Sequence, residues 1–481
     1  MGGFFGVVSK VNAVPDLFFG TDYHSHLGTV RGGMAVLDDR RFFHRAIHDI
    51  GNTQFRSKFD GDFQYFNTLN SCAGIGVISD YDDQPILIAS HLGVYAIVTV
   101  GVLTNVDALV EELYRKNSTH LAELGRGMIN PTEVVAALID SQPTFAEGIR
   151  YAQSRVEGSC SLIVLNDKGE MYVARDTYGR TPIALAEKDD ARAVAMESCA
   201  FPNIGYTPVR DIAPGEIVKV LPDVVETLYR PEKPQTATCA FMWVYFGYPA
   251  STFDGRNVEA MRYRSGRLLA RRNPVDADCV AGVPDSGVGH ALGYAAESGI
   301  PYERPFVKYT PTWPRSFMPS DQTLRQHIAR MKLIPIPELI KGKRLIFCDD
   351  SIVRGTQLRD QVRRLNAAGA KEIHMRIACP PLLHNCRFIN FSRSRSVMDL
   401  VTRRVIQELE GDGADIRKYQ DPDGAPYKKM VEVIRARLGL TTLAYQRIDD
   451  LKQAIALDGD PVCTYCWDGR DITLQEPKAT L

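Results

Sequence analysis

Cysteine is sparse, at 10 in 481 residues, which excludes a disulfide-stapled scaffold and makes a reducing cytoplasm the expected setting. An excess of either charge is missing too: 57 Lys and Arg stand against 58 Asp and Glu, a net charge of −1. That removes the electrostatic case for a nucleic-acid partner, whereas a small anionic ligand needs only local charge. The opening residues MGGFFGVVSK hold no apolar run of signal-peptide length. One stretch, Gln84 to Val106, lacks formally charged side chains, but Pro85, Ser90, His91, Gly93, Thr99, Gly101, Thr104 and Asn105 interrupt it. Its β-branched residues cluster in two short runs, which predicts paired buried strands and no membrane span. Internal repeats and low-complexity tracts are absent as well.

What is present is enough for two or three domains: 481 residues, 44% hydrophobic and 24% charged, bury sizeable cores. The first two hundred residues read as short strands broken by Gly, Asp and Asn, at Phe4 to Val8, Gly74 to Ile78, Ile86 to Ala89, Tyr95 to Val100, Ser161 to Leu165 and Met171 to Ala174. A helix is predicted over Asp107 to Lys116, with Leu109, Val110, Leu113 and Tyr114 on one face. Pooled strands of this kind predict an α+β sandwich. The connector YRPEKPQ, Tyr229 to Gln235, sets a boundary. Beyond it the pattern alternates: helix Asn257 to Arg271, strand Cys279 to Val283, a helix from Gly289, strand Leu345 to Phe347, helix Thr356 to Ala368, strand Glu372 to Ala378. That rhythm predicts a parallel α/β sheet with ligands at the carboxyl ends of its strands. A polar, mostly helical C-terminal segment follows, so the expected units are 1–235, 236–395 and 396–481.

Residues 344–358 read RLIFCDDSIVRGTQL: an apolar strand, two acids, a small turn, a helix. Asp349 and Asp350 at a strand end are suited to vicinal sugar hydroxyls or a hydrated Mg²⁺. The turn Ser351, Ile352, Val353, Arg354, Gly355 and Thr356 aims N–H groups and a hydroxyl at an anion above a helix N-terminus. A bare Asp-Asp-Ser would read as a helix cap. The full string resembles the phosphoribosylpyrophosphate (PRPP) motif of type I phosphoribosyltransferases. A second loop, Val283-Pro284-Asp285-Ser286-Gly287, follows a strand and precedes a helix as a pyrophosphate loop would, with Ser286 able to face a metal. Lys308, Arg315, Arg330 and Lys332 lie between the two motifs. Singly each reads as solvated charge; as a group they suit a pyrophosphate leaving group.

The chain as a whole resembles the glutamine phosphoribosylpyrophosphate amidotransferase family. The likeness rests on Glu197 with Cys199-Ala200-Phe201, Arg210-Asp211 with Pro214-Gly215-Glu216, Val244-Tyr245-Phe246 before Pro249, Val283 to Ser286, and Asp349 to Thr356. It implies an N-terminal Ntn-hydrolase αββα sandwich of the class II glutamine amidotransferase type, joined to a type I phosphoribosyltransferase domain. It also implies replacement of the pyrophosphate of PRPP by an amine in purine biosynthesis, Mg²⁺, and a homo-oligomer, a tetramer in the family.

Cys463 and Cys466 alone, as CTYC, read as a zinc half-site, a redox pair or two unrelated thiols. The resemblance adds that Cys239, Cys386, Cys463 and Cys466 stand where bacterial members bind a [4Fe–4S] cluster, with zinc the alternative for four thiolates. Cys72, Cys160, Cys199, Cys279, Cys348 and Cys379 sit among apolar or small residues and read as core thiols.

The N-terminal half departs from the family at its chemistry. The family's cysteine nucleophile corresponds to Gly2, its carboxylate-clamping arginine to Ser79, its Asn-Gly oxyanion element to Val100-Gly101 and its amine-gripping acid to Pro131; of its His-Arg-Gly-Gln element only Arg31-Gly32 remain. The expectation is lost glutamine hydrolysis with ammonia as the incoming amine. The Tyr309 to Pro314 insert containing Trp313, and the run after Cys386, also depart. The alternatives are a non-catalytic regulatory member that binds PRPP or nucleotides, and a transferase for another amine.

Overall fold

In the computed structural model the strand Gly3–Ser9 is buried along its whole length, because its two faces enter different cores. Phe5 and Val7 pack with Leu17, Phe18, Phe55 and Phe59. Phe4 and Val8 pack with Val98, Ile163, Val173 and Val218. Period-two alternation thus yields an apolar run, as expected for a strand covered on both sides. The structure describes residues 2–80, 82–115, 121–122, 124–125, 128–309, 333–389, 396–455 and 462–474.

Gly3–Ser9 is the middle of a seven-stranded antiparallel sheet, ordered Thr207–Asp211, Ala184–Lys188, Ala191–Ala195, Gly3–Ser9, Ala73–Ser79, Arg31–Leu37, Phe43–Asp49. A six-stranded sheet lies against it, ordered Val225–Tyr229, Ile217–Val220, Met171–Ala174, Gly158–Asn166, Gly93–Leu103, Ile86–Ser90. Helices Val14–Asp22 and Phe55–Thr68 cover the first sheet, and Val106–Arg115, Pro131–Asp140 and Phe145–Arg155 the second. These four layers are the αββα sandwich expected from the sequence. The uncharged stretch forms an antiparallel pair, with Ile86 opposite Ile97, and among the described residues no helix is long and apolar enough to cross a membrane.

Two expectations need correction. Tyr114 is 48% exposed while Leu109, Val110 and Leu113 are buried, because the helix turns its fourth apolar residue beyond the sheet. Cys72 is exposed: it lies in the turn before Ala73–Ser79, outside the core. The other five thiols read as core, Cys160, Cys199, Cys279, Cys348 and Cys379, are buried.

Beyond the connector, four parallel strands run in the order Cys279–Gly282, Arg344–Asp349, Glu372–Ile377, Thr442–Tyr445. Helix Val258–Arg272, capped by the Asn257 side chain on the Ala260 N–H at 2.9 Å, packs on helix Gly287–Ser298. Helices Thr356–Ala367 and Ala425–Leu438 complete the α/β layers. The fourth strand comes from the segment read as mostly helical. Its four residues TLAY are too few to show a period against the helices Ala425–Leu438 and Ile448–Ile455 around them.

Candidate functional site

Strand Arg344–Asp349 places Asp349 at its carboxyl end, and strand Cys279–Gly282 delivers the loop Val283–Ser286 beside it. The helix after that loop reaches the neighbouring strand closely: a Cβ on Gly287 would fall 2.3 Å from the Cys348 carbonyl oxygen. Only glycine permits this approach. The approach brings the two loops into contact, and the Ser286 hydroxyl donates to Asp350 Oδ2. Ser351 Oγ donates to Asp350 Oδ1 at 2.6 Å, and the Asp350 N–H donates to Asp349 Oδ1 at 2.9 Å. The Pro284–Asp285 peptide is cis.

Burial, and then the neighbouring Asp350 charge, push the Asp349 carboxyl well above the usual carboxylate range. Two carboxylates in one buried corner repel each other, and a divalent cation or donated sugar hydroxyls relieve that repulsion. Asp349, Asp350 and Ser286 therefore fit a Mg²⁺-bound polyhydroxyl ligand.

The turn between Asp350 and helix Thr356–Ala367 ends on Gly355, in the left-handed region at φ 75°, a conformation that favours glycine. The first N–H groups of the helix have no partner within it and point toward the turn. The C-terminal segment holds the turn from outside. Val401 N–H donates to the Val353 carbonyl at 2.8 Å, Arg404 to the Arg354 carbonyl at 2.7 Å, and the Arg354 side chain turns to Asp399 at 3.3 Å. Ile352 is buried.

Lys308 ends the short strand Phe306–Lys308 and pairs with Asp285 at 2.5 Å, at the rim of the Pro284–Ser286 loop. Arg315, Arg330 and Lys332 lie outside the described residues, as do Trp313 and most of the run after Cys386.

All four cysteines of the expected cluster converge. Cys239 pairs in parallel register with Cys463, and the Leu383 and His384 N–H groups donate to the Cys466 carbonyl at 2.9 and 3.0 Å. The latter contact brings the loop bearing Cys386 onto the last helix. The Cys386 side chain hydrogen-bonds Cys466, and that bond, with burial and the charge of Cys386, Cys239 and Cys463, raises the Cys466 thiol well above its usual range. Burial and the Cys386 charge push Cys463 up to about 12. Cys239, Cys386 and Cys466 are buried and Cys463 is half-buried, and burial helps raise the Cys239, Cys463 and Cys466 thiols, which is the donor chemistry of a cationic Cys₄ group. Among the described residues no set of three or more His, Cys, Asp or Glu is arranged to hold a single metal ion.

In the N-terminal half, the space beside Gly2 and the charge of Arg31 are already taken. A Cβ on Gly2 would stand 2.3 Å from the Ile78 carbonyl oxygen. Arg31 is opposite Ser79 in the sheet, and its guanidinium is held by Asp83 at 2.7 Å and by Asp49, leaving it neutralised. Val100 is 4% exposed, between the sheets. Pro131 opens helix Pro131–Asp140, and Asn130 before it donates to the Asp83 carbonyl at 3.0 Å. The residue the sequence reading missed is Gln84: buried, its amide brackets Thr99, accepting from N–H at 2.7 Å and donating to C=O at 3.2 Å. A lone Gln before Pro85 carries no signal of that role.

Residues 73–203 match a family described as a glutamine amidotransferase domain. Over 430 residues the chain is 32% identical to the amidophosphoribosyltransferase of Synechococcus elongatus, covering 88% of this chain and 85% of that protein. Over 477 residues it is 30% identical to the amidophosphoribosyltransferase of Methanothermobacter thermautotrophicus, covering 97% and 93%. The glutamine PRPP amidotransferase from B. subtilis, solved as a complex with ADP and GMP, superimposes with a TM-score of 0.83 at 28% identity, covering 98% of this chain and 97% of that one.

Proposed function

The chain belongs to the amidophosphoribosyltransferase family, and from that premise we propose that it joins free ammonia to the ribose of PRPP, its own glutaminase having been lost. The observation that carries the transferase reading is the contact of Ser286 with Asp350 beside Asp349, which unites the two loops at one strand end. Asp349 and Asp350 orient the ribose hydroxyls. The Ser351 to Thr356 turn holds the 5-phosphate, and Pro284, Asp285 and Lys308 line the pyrophosphate side, where Arg315, Arg330 and Lys332 are assigned by sequence alone. Mg²⁺, held by Ser286 and the acid pair, would supply neutralisation of the pyrophosphate charge. In the transfer the bond from ribose C1 to the pyrophosphate oxygen breaks and a C1–N bond forms. Pyrophosphate departs and the ammonium adduct releases a proton to solvent. Because charge separates at C1, stabilising the leaving group is the principal catalytic task.

The N-terminal half supports the second part of the reading. Gly2 offers no nucleophile, Arg31 is neutralised by Asp49 and Asp83, and Gln84 ties down Thr99 beside Val100. What remains is a cap that excludes water from the reactive ribose. Incubating the protein with PRPP, Mg²⁺ and a panel of amines, with pyrophosphate as the readout, tests this function. Release with ammonium is expected, and release with another amine only would replace ammonia in the reading.

The Cys₄ site belongs to the same proposal. A [4Fe–4S] cluster on Cys239, Cys386, Cys463 and Cys466 would tie three distant segments, a structural role in which cross-linking restricts the unfolded chain. Protein purified without oxygen is expected to be brown, with about four iron and four sulfide per chain. Stoichiometric zinc, or neither element, would overturn this assignment.

A further inference from the structure

Arg262 lies outside every motif described above, yet it stands where the two halves meet the ligand site. It is only 2% exposed. Its Nε donates to the Trp243 carbonyl at 3.0 Å, and Nη2 to the carbonyls of Tyr245 at 3.2 Å and Gly247 at 2.9 Å. These carbonyls belong to the π-helical turn Met242–Phe246 and its cap, where carbonyl groups run out of partners within the turn. The chain then reaches Tyr248 and Ser251, whose N–H and hydroxyl donate to Glu197 of the N-terminal half. Glu197 is fully buried and also contacts His26 Nε2 at 3.0 Å. One arginine and one glutamate thus grip consecutive stretches of one segment, Trp243 to Gly247 and Tyr248 to Ser251, from opposite halves.

The other flank leads to the ligand. Helix Val258–Arg272 packs so tightly on the first turn of Gly287–Ser298 that a Cβ on Gly289 would lie 2.9 Å from Arg262 Cβ and 2.8 Å from both carboxylate oxygens of Glu259. That turn starts directly after Ser286, the partner of Asp350. Burial pushes the Arg262 guanidinium below its usual range, and the charges of Glu259, Asp350 and Glu197, from three parts of the chain, oppose that shift. Holding carbonyls alone does not call for a buried charge, whose desolvation is costly.

We propose that Arg262 is a positioning residue for phosphoribosyl transfer, fixing the turn between the halves through its hydrogen bonds and setting, through its charge, the field at Asp350 in which the anionic substrate is held. The proposal rests on the transferase reading of this site. Removing the cation makes the site more negative. Affinity for PRPP then falls and attraction for the divalent cation rises, two shifts of opposite sign that a packing defect does not produce.

The test compares Arg262→Met, which keeps bulk without charge, with Arg262→Lys, which keeps charge without the forked donors. PRPP binding is measured by calorimetry at saturating Mg²⁺, the Mg²⁺ half-saturation in the same assay, and Tm by scanning. Both variants are expected to lose Tm. Arg262→Met should bind PRPP about tenfold more weakly with a lower Mg²⁺ half-saturation, while Arg262→Lys should stay within about threefold of wild type. Equal PRPP affinity in the two variants, or wild-type affinity in Arg262→Met, would overturn the proposal. If Arg262→Met does not fold, Glu197→Gln, which keeps an acceptor for Ser251, carries the test from the other half. It frees Arg262 of one countercharge, so tighter PRPP binding supports the proposal and unchanged or weaker binding overturns it. Wild-type protein that fails to bind PRPP would sink the transferase reading itself.

Discussion

Release of pyrophosphate from PRPP in ammonium buffer is expected to fall by at least about a thousandfold in the Asp349→Asn Asp350→Asn variant, because both ribose orientation and cation binding depend on this pair. Calorimetry should show no PRPP binding at any Mg²⁺ concentration. The loss will not reflect unfolding. The Asp349 carboxyl is raised in the folded state by burial and by Asp350, so its ionised form costs stability above the ordinary carboxylate range and that cost disappears as pH falls. Removing the Asp349 charge alone, in Asp349→Asn, should therefore leave Tm near pH 7 equal to wild type or higher. Unchanged PRPP affinity in a folded double variant would remove the ligand site from this corner.

Restoring the missing nucleophile should restore nothing. Glutamate release from glutamine by Gly2→Cys is expected to stay at background, on the order of a millionfold below a working nucleophile–base pair. The first reason is space: the new Cβ would meet the Ile78 carbonyl oxygen at 2.3 Å, a main-chain atom in a paired strand that cannot swing aside. The second is the surroundings. A thiolate needs a held carboxylate and an oxyanion donor in front of it. Here Arg31 is engaged by Asp49 and Asp83, and the Thr99 N–H is taken by Gln84. Measurable glutamate from the single variant would show that the pocket is open and the closure read from Gln84 is wrong.

Much of this was legible in the chain. The strand–turn–helix around Asp349 and Asp350 announces itself because an apolar run, an acid pair and a small turn each have a local signature, and the structure adds their partner, Ser286. The cysteines could be grouped only through family likeness, since Cys239 and Cys463 are far apart in sequence and adjacent only in a parallel pairing. Strand Thr442–Tyr445 escaped notice because four residues between helices carry no period. Gln84 and Arg262 were illegible for a different reason: their roles consist of hydrogen bonds to main-chain atoms of other segments, which leave no residue-type pattern. Lys308 was legible as a charge and not as a pair, because Asp285 meets it only once Phe306–Lys308 returns beside the loop.

The most direct test of the central claim gives the wild-type protein PRPP and Mg²⁺ with either ammonium chloride or glutamine, and follows pyrophosphate and glutamate in the same vessel. Pyrophosphate with ammonium alone, and no glutamate from glutamine, is the predicted result; glutamine-dependent pyrophosphate release accompanied by glutamate would contradict it.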